Sequence, residues 1–434
     1  MIASKNGEAP STYHIWTIGC QMNKADSDRL ESALVQLGLH PTQTPQQADV
    51  VILNSCVVRQ SAEDKVVGML SSLKPLKQRN SGRVVALMGC MVGPKTDSLQ
   101  SKFPYVDVFM RPQQYKPLLD LLGDRMGVDA DGCLSAFTPA RVSVTAYIPI
   151  IHGCDKFCTF CIIPYRRGRE VSRPIQDIVR EAELLADRGV KEVTLLGQNV
   201  DSYGHDLPGS PDLADLLAAI NAVQGLQRVR FLTSHPNVMS GSIIEAVASL
   251  DKVCEHINLP FQAGDDQVLA AMRRGYTSND YRRLVERVRA SVPNVSLSTD
   301  LIVGFPGETE EAFRRSVEML QEVQFDKVHV AAYSTRPGTI AARTQVEDVP
   351  LEEKKRRLAE IERLQEEILT TINARLPGTI TEVLVDGREK GKWSGRNRND
   401  KLVFFEDKRD LMGRLVNVRI EKTSPWSLQG VAVR

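Results

Sequence analysis

The sequence has no long apolar stretch and no excess of charge of one sign. Its 434 residues include 55 Lys and Arg and 54 Asp and Glu, a net charge of +1. Overall charge therefore gives no sign of a nucleic-acid partner, and any basic surface must be local. The apolar runs are only as long as strands, far short of the ~20 residues that span a bilayer. No basic-then-apolar leader opens the sequence, so we expect a cytoplasmic protein with no membrane partner.

Cysteine is also scarce, with eight residues in the whole chain. Disulfides are rare in cytosolic proteins, so clustered cysteines are interpreted first as metal or redox ligands. Hydrophobic residues make up 42% and charged residues 25% of the chain, which is ordinary for a globular protein. At roughly 100–200 residues per domain, the length predicts two to four domains.

The pattern of predicted strands and helices changes twice along the chain, which predicts an α/β protein with three domains. Residues 12–130 alternate strands and helices, which indicates an amino-terminal domain with a parallel sheet. Residues 140–372 repeat the pattern six times, which predicts a partial (β/α)6 TIM-like barrel, open because it has six units. Residues 373–434 alternate short strand-like runs with turns, which predicts a small antiparallel β-barrel. A linker at 122–141 contains Cys133, and an amphipathic helix at 351–376 serves as a packing spacer.

Individual elements follow from the same patterns. The predicted strands of the first two domains are 13–18, 49–53, 84–88, 106–110, 146–151, 192–196, 229–233, 256–259, 295–303 and 327–333. The predicted helices include 27–39, 61–73, 176–188, 213–224, 267–273 and 310–321. The predicted strands of the last domain are 380–385, 402–405, 415–420 and 428–433.

The strongest motif is the run of Cys154, Cys158 and Cys161, spaced C-x3-C-x2-C directly after an apolar strand. Three thiolates on one short loop can hold three irons of a cubic 4Fe-4S cluster and leave the fourth iron open. An open metal position can bind a substrate group directly. The alternative is a structural zinc site with His152 as the fourth ligand.

Three further cysteines, Cys20, Cys56 and Cys90, each follow one strand of the first domain. The carboxyl ends of parallel strands lie on the same edge of a sheet, where ligands bind. The spacing therefore predicts a second site with three thiolates. The alternative is that these small residues only pack near strand ends, as free cysteines often do. Packing is the favoured interpretation for Cys133 and Cys254, which have no partners in the sequence.

The central motif, with the aromatic Phe160 just before its last cysteine, resembles the radical S-adenosylmethionine superfamily. That resemblance implies that the open iron binds the amino and carboxylate groups of S-adenosylmethionine and that Cys154, Cys158 and Cys161 hold the catalytic cluster. It also implies that an electron from the cluster cleaves the cofactor to a 5′-deoxyadenosyl radical. The predicted core of six βα units matches the partial barrel of that superfamily.

The first domain resembles the methylthiotransferases, and with the tail included the similarity covers about residues 12–434. The matching motifs are Gly19-Cys20-Gln21-Met22-Asn23 with Asp26-Ser27, Asn54-Ser55-Cys56 with Arg59, Met88-Gly89-Cys90, and the run from Ile162 to Arg173. The relatives that act on N6-dimethylallyladenosine in tRNA typically read Gly-Cys-Gln-Met-Asn. Relatives that act on a ribosomal-protein aspartate typically read Gly-Cys-Pro-Lys-Asn, and those that act on threonylcarbamoyladenosine typically read Gly-Cys-Lys-Val-Asn. Ser55 and Arg166 stand where the first group often has Thr.

The loops after the barrel strands are expected to face the cofactor. Amide, hydroxyl and carboxylate side chains there can bond its ribose, adenine or amino acid part. The candidates for binding S-adenosylmethionine are Phe160, Gln198, Asn199, Ser234, Gln262 and Asp300. The segment 273–277 has two arginines, and the sequence leaves open whether they serve the cofactor carboxylate or tRNA phosphates.

The tail is more basic than the rest of the chain. After Leu376 it has twelve Lys or Arg and eight Asp or Glu, a balance of +4. Small β-barrels with a basic face and aromatic residues bind single strands by phosphate contacts and stacking. The candidates for RNA binding are Trp393, Arg396, Arg398 and Phe404. The tail also resembles the TRAM domain, an RNA-binding module.

Together these resemblances imply a tRNA methylthiotransferase with two 4Fe-4S clusters that uses two molecules of S-adenosylmethionine per turnover. It would insert a methylthio group at C2 of N6-dimethylallyladenosine, next to the anticodon, after that base leaves its stack. The implied partners are the tRNA anticodon stem-loop, a reduced electron donor such as flavodoxin or ferredoxin, and the iron–sulfur assembly machinery, with the enzyme acting as a monomer. The alternatives are a related enzyme that modifies a ribosomal-protein aspartate or threonylcarbamoyladenosine, and a non-catalytic iron–sulfur RNA-binding redox sensor.

Overall fold

A computed structural model describes residues 9–57, 60–130, 132–133 and 143–433. Arg59 and residue 140, where the sequence analysis begins the central domain, lie outside the described residues. The chain divides into two compact units. The amino-terminal unit comprises Met1–Val142, His152–Cys154 and Ile162–Arg169, and the main unit comprises Ser143–Ile151, Asp155–Cys161 and Glu170–Arg434.

The amino-terminal unit is built on a five-stranded sheet whose order is β2-β1-β3-β4-β5 and whose pairings are all parallel. Its strands are β1 (Thr12–Thr17), β2 (His40–Pro41), β3 (Val50–Ser55), β4 (Val84–Gly89) and β5 (Val108–Met110). Its helices are α1 (Gln21–Gln36), α2 (Gln60–Arg79), α3 (Asp97–Lys102) and α4 (Lys116–Met126), with a 3-10 turn at Pro45–Gln47. The predicted parallel sheet is confirmed.

Every residue of β3 and β4 is buried because helices cover both faces of the sheet. Along β3, Val50 and Ile52 pack in one apolar cluster while Val51 and Leu53 pack in the other. This is the period-two alternation of a strand. Strands buried on both faces read as continuous apolar runs, and for that reason the sequence located β3 and β4 well.

The main unit has two three-stranded parallel sheets, ordered β6-β9-β10 and β11-β12-β13. The strands after β5 are β6 (Thr145–Pro149), β7 (Ile151–His152), β8 (Val171–Ser172), β9 (Glu192–Leu196), β10 (Arg228–Leu232), β11 (His256–Asn258), β12 (Ser296–Val303) and β13 (Lys327–Ala332). Helix α5 (Ile163–Arg167) belongs to the amino-terminal unit. The helices of the main unit are α6 (Ile175–Asp187), α7 (Leu213–Asn221), α8 (Gly241–Ser249), α9 (Asp266–Ala271), α10 (Ser278–Ser291), α11 (Glu310–Val323), α12 (Ile340–Thr344) and α13 (Leu351–Asn373), with a 3-10 turn at Val200–Ser202. None of the helices in the described ranges is long and apolar enough to cross a membrane.

The chain ends in a closed five-stranded barrel ordered β14-β15-β16-β18-β17. Its strands are β14 (Ile380–Glu389), β15 (Lys392–Asn397), β16 (Leu402–Glu406), β17 (Leu415–Thr423) and β18 (Leu428–Ala432). The pairings are antiparallel except for β16 with β18, which run parallel. The predicted small barrel is confirmed. The sequence analysis did not identify β15, because its polar and glycine residues obscure the alternation of apolar and polar side chains that is typical of a strand.

Candidate metal centres and cofactor surface

Cys20, Cys56 and Cys90 lie at the same edge of the amino-terminal sheet. β3 pairs in parallel with β1 on one side and with β4 on the other. Cys56 directly follows β3, Cys90 directly follows β4, and Cys20 immediately precedes α1. The structure therefore brings these three predicted ligands together from three neighbouring strands.

A pair of buried amide side chains supports this edge. Asn23 donates to the Asn54 side-chain oxygen at 2.9 Å and to the Ser55 carbonyl at 3.0 Å. Asn54 donates back to the Asn23 carbonyl at 2.7 Å. The Cys20 thiol in turn donates to the Asn23 side-chain oxygen at 3.3 Å. These bonds explain why asparagine recurs beside the cysteines: the two amides fix the start of α1 against the end of β3.

Two glycines let the cysteine loops approach one another closely. A Cβ on Gly19 would lie 2.9 Å from the Cys56 Cβ, and the residue has φ of +147°. A Cβ on Gly89, at φ +99°, would lie 2.4 Å from the Ser55 carbonyl oxygen. Glycine avoids both the overlap and the backbone strain. The Gly-Cys pairs of the sequence are therefore required by the convergence of the loops.

The thiols interact electrostatically, which supports a shared metal pocket. Burial raises the pKa of the Cys90 thiol to about 11, the Arg167 guanidinium opposes this rise, and the Cys20 and Cys56 thiols reinforce it. Deprotonation of the Cys90 thiol is therefore favoured by a nearby positive group, such as a bound metal ion.

Three thiols on converging loops are donors that suit an iron–sulfur cluster. Within the described ranges, only Asp155, Glu170 and His205 bring three ligand atoms within 4.8 Å of one another, so the sulfur atoms of neither cysteine set lie that close together.

The cysteines of the central motif are held from several sides. Within the amino-terminal unit, the Cys154 amide donates to the Gly168 carbonyl at 3.1 Å. Within the main unit, the Arg274 guanidinium donates to the Cys158 sulfur at 3.4 Å and to the Pro260 carbonyl at 3.0 Å. Arg274 was one of two arginines whose role the sequence left open. Its buried contact with a cysteine sulfur makes it a positioning residue for that ligand.

Asp155 and Glu170 bond each other reciprocally beside the motif. The Asp155 amide donates to the Glu170 carboxylate at 3.2 Å, and the Glu170 amide donates to the Asp155 carboxylate at 3.3 Å. A nitrogen of His205 lies 3.7 Å from the Glu170 carboxylate. The sequence analysis missed this group, because its members are 15 residues or more apart and share no periodic pattern. It fixes the start of the cysteine loop.

Three predicted cofactor residues, Gln198, Asn199 and Ser234, follow the carboxyl ends of central strands, Asp300 lies within β12, and Phe160 lies in the cysteine loop. The buried Asn199 follows β9, and the buried Ser234 follows β10. The Gln262 amide donates to the Asp300 carbonyl at 2.9 Å, which places these two residues side by side. Phe160 and Gln198 are half-buried.

Sequence reasoning missed one functional candidate, Asp201, and it placed His235 in a loop expected to face the cofactor without selecting its side chain. Asp201 is fully enclosed, and it accepts hydrogen bonds from the Ser234 hydroxyl and the His235 amide, both at 2.9 Å. Burial raises the pKa of Asp201 to about 7. Burial, together with the charges of Arg274 and Lys156, lowers the pKa of His235 to about 2, so its imidazole is neutral. The Asn199 side-chain oxygen and His235 Nε2 are buried without an acceptor or donor among the described residues, which leaves two polar atoms for a ligand.

The raised pKa of Asp201 predicts a pH dependence of stability. The folded protein binds this proton more tightly than the unfolded chain, whose carboxyl has the usual value of 3.8. The stabilisation is complete below about pH 4 and is lost as the pH rises towards 7. Between pH 5 and 7 the apoprotein should therefore lose about 2 kcal/mol more unfolding free energy than the Asp201→Asn variant. Urea unfolding at the two pH values measures this, and equal losses in both proteins would contradict the assignment.

The predicted RNA-binding residues have different environments in the barrel. Trp393 is only 5% exposed, and its indole N–H donates to the Asp407 carbonyl at 3.2 Å. Arg398 contacts the Glu255 carboxylate through two nitrogens, each at 2.7 Å. Arg396 donates to the Asp400 carbonyl at 2.7 Å, and Phe404 is half-buried. Trp426, which the sequence analysis did not select, is 59% exposed.

Three family models match successive parts of the chain. Residues 12–111 match the model described as Uncharacterized protein family UPF0004. Residues 148–320 match the Radical SAM superfamily, and residues 374–433 match the TRAM domain. The three matches follow the order of the parallel sheet, the two central sheets and the barrel.

Curated relatives resemble the chain over nearly its whole length. One, from Dehalococcoides mccartyi (strain ATCC BAA-2266 / KCTC 15142 / 195), is 51% identical over 97% of this chain and 98% of its own. Another, from Roseiflexus sp. (strain RS-1), is 50% identical over 97% of this chain and 90% of its own. A third, from Chloroflexus aurantiacus, is 48% identical over 96% of this chain and 91% of its own. All three carry the name tRNA-2-methylthio-N(6)-dimethylallyladenosine synthase.

Solved structures support the fold. The radical S-adenosylmethionine methyltransferase TsrM from Kitasatospora setae gives a TM-score of 0.58 at 15% identity, covering 87% of this chain and 79% of its own. The cobalamin-dependent S-adenosylmethionine radical enzyme OxsB gives a TM-score of 0.52 at 12% identity, covering 82% of this chain and 56% of its own. At such low identity these similarities concern the arrangement of the chain alone.

Proposed function

Because the chain belongs to the family of tRNA-2-methylthio-N(6)-dimethylallyladenosine synthases, we propose that it inserts a methylthio group at C2 of N6-dimethylallyladenosine in tRNA. The observation that carries the proposal is the convergence of Cys20, Cys56 and Cys90 at one sheet edge in a chain that also has the C-x3-C-x2-C motif. One thiolate set alone supports radical chemistry. Two sets support the additional sulfur transfer that the family name requires.

We assign one 4Fe-4S cluster to each cysteine set, so that each cluster has one iron without a cysteine ligand. When bound, the two clusters and two molecules of S-adenosylmethionine would supply the electron, the radical, the sulfur and the methyl group for the reaction. The residues of the chain position these groups and exclude water. The Asn23–Asn54 amide pair fixes the first set, and Arg274 fixes the sulfur of Cys158.

The cofactor-binding surface is assigned to the loops after the central strands, to Asp300 within β12 and to the cysteine loop. Asn199, Ser234, Gln262 and Asp300, with Phe160 and Gln198 beside them, are proposed to bind S-adenosylmethionine. The unpartnered Asn199 oxygen accepts a hydrogen bond from the ligand, and the neutral His235 accepts or donates one at Nε2. The bonds that Asp201 accepts from Ser234 and His235 hold both residues towards the site.

The two central sheets are proposed to form one partial (β/α)6 barrel. Val229, on β10, makes a parallel bridge to Val253, just before β11. The Ser234 amide also donates to the Asn258 carbonyl at 3.1 Å, which links the loop after β10 to β11. We propose functional domain limits of 12–130, 140–372 and 373–434, as the sequence predicts.

The terminal barrel is proposed to bind the tRNA anticodon stem-loop. Trp393, Arg396, Arg398 and Phe404 remain the residues predicted from the sequence, and the exposed Trp426 is added as a surface on which a base can stack. The proposed enzyme acts as a monomer in the cytoplasm. A flavodoxin or ferredoxin reduces it, and the iron–sulfur assembly machinery loads it.

The function is tested by analysing nucleosides from tRNA of a strain that lacks the gene. We expect the 2-methylthio derivative of N6-dimethylallyladenosine to disappear and to return when the gene is restored. Unchanged levels would exclude the tRNA substrate and favour the ribosomal-protein aspartate. Loss of 2-methylthio-threonylcarbamoyladenosine instead would reassign the base. Anaerobic protein that releases no 5′-deoxyadenosine under reductant would favour the redox sensor.

A further inference from the structure

Buried arginine nitrogens without acceptors lie near the segments that carry Cys20 and Cys90. The Arg167 side chain is 1% exposed, and its Nη2 donates to the Asp26 carboxylate at 2.9 Å. Its Nη1 is buried and has no acceptor among the described residues. Burial by itself would lower the pKa of Arg167, but Asp26 and the thiols of Cys90 and Cys20 raise it. Asp26 lies on α1, which begins directly after Cys20, so its ion pair with Arg167 places the guanidinium near that cysteine.

A buried donor nitrogen of this kind lowers the stability of the folded protein unless an acceptor forms a hydrogen bond with it. A buried donor without a partner loses the hydrogen bonds that it had with water, and the loss is larger for a charged group. Asp26, which is fully buried, satisfies only one side of the guanidinium. Its pairing with Arg167 joins residues 141 positions apart in the sequence. The local fold thus holds a cation beside the thiols and leaves one of its donors unused.

Two more arginines extend the same surface of the amino-terminal unit. Arg111 donates to the Arg166 carbonyl at 3.0 Å, and the Nε atoms of both residues are buried without an acceptor among the described residues. Arg166 interacts electrostatically with Cys90 and with Glu63. A Cβ on Gly93 would lie 2.0 Å from Arg166 Nη1, so the glycine makes room for this side chain. Three arginines and two carboxylates leave an excess of positive charge next to the thiols.

We propose that Arg167, with Arg111 and Arg166, binds an anionic sulfur species held at the cluster of Cys20, Cys56 and Cys90. The inference rests on the proposed function, which places a cluster there with one iron free of cysteine. Hydrosulfide and persulfide are small anions, and guanidinium groups form their strongest hydrogen bonds to anions. The pocket thereby favours an inorganic sulfur anion over a neutral thiol.

The test uses anaerobically reconstituted full-length protein and selenide as the probe. Bound selenium and iron per chain are measured after desalting, over a range of selenide concentrations. The Arg167→Gln/Asp26→Asn variant removes both charges and leaves polar side chains at both positions. Arg169→Gln, an exposed arginine of the same segment, is the matched control.

We expect wild type and Arg169→Gln to bind selenide equally, and Arg167→Gln/Asp26→Asn to bind about tenfold or more weakly with its full iron content. Asp26→Asn alone keeps the cation and should bind at least as well as wild type. Equal binding by the double variant would overturn the inference, as would the absence of bound selenide on fully loaded wild type. Loss of iron from the double variant would also overturn it, since that indicates a structural role. The tRNA nucleoside analysis judges the proposed function independently of these results.

Discussion

Replacement of Cys20, Cys56 and Cys90 by alanine is expected to halve the iron content and abolish methylthio transfer while leaving the cleavage of S-adenosylmethionine intact. Two four-iron clusters give about eight irons per reconstituted chain, and removal of one ligand set leaves about four. The remaining set, Cys154 with Cys158 and Cys161, still supports 5′-deoxyadenosine release. Iron and sulfide analysis, with chromatography of the cleavage products, measures both effects on the same sample.

The matched control for this variant is Cys133→Ser. Cys133 is half-buried and packs against an apolar cluster of the amino-terminal unit, and it follows none of the sheet strands that precede the other three cysteines. Its replacement should leave about eight irons and full transfer. Two outcomes would contradict the assignment: a loss of only about one metal ion from the triple variant, or zinc in place of iron. Either result would indicate a mononuclear site.

The sequence predicted those parts of the fold that follow local hydrophobic patterns. β3 and β4 are continuous apolar runs and were located within two residues of their ends. In contrast, α1 begins at Gln21, six residues before the predicted start. Its first turns bury Asn23, Asp26 and Ser27 beside Met22 and Ala25. A helix start whose buried face mixes polar and apolar residues gives only a weak hydrophobic period, and here the polar residues hold the cysteine edge.

The candidate site was likewise predictable in part: the sequence identified the cysteines but not the residues that contact them. The cysteines were predictable because a ligand after each parallel strand must reach one edge of the sheet. The partners of those cysteines were not predictable, since Arg167 meets Asp26, and Arg274 meets Cys158, only through the folded chain. Asp201, which the sequence analysis did not select, is buried through contacts with residues distant in the sequence. Spacing along the chain can identify a ligand set, but burial and charge pairing are properties of tertiary contacts.

A similar pairing within the main unit connects the terminal barrel to the central sheet. Arg230, on β10, contacts the Glu192 carboxylate at 3.0 Å, and the two side chains are 4% and 7% exposed. Arg230 also donates to the carbonyls of Arg398 and Asn397, at 2.8 and 2.6 Å. The guanidinium thus joins β9, β10 and the turn that follows β15.

Arg230→Met is expected to lower the free energy of unfolding by about 3–5 kcal/mol, because it leaves the buried Glu192 carboxylate without its cation. Arg230→Met/Glu192→Gln removes both charges and should recover a large part of that loss, since replacing a whole buried ion pair is far less costly than breaking it. Denaturant unfolding of the three apoproteins measures the difference. If the double variant is as unstable as Arg230→Met, the loss comes from the two barrel carbonyls and not from the carboxylate. Arg230 also donates to the carbonyl of Arg398, a predicted RNA-binding residue. Arg230→Met should therefore weaken binding of the anticodon stem-loop as well. The stability of this buried ion pair is thus linked to the placement of the RNA-binding barrel.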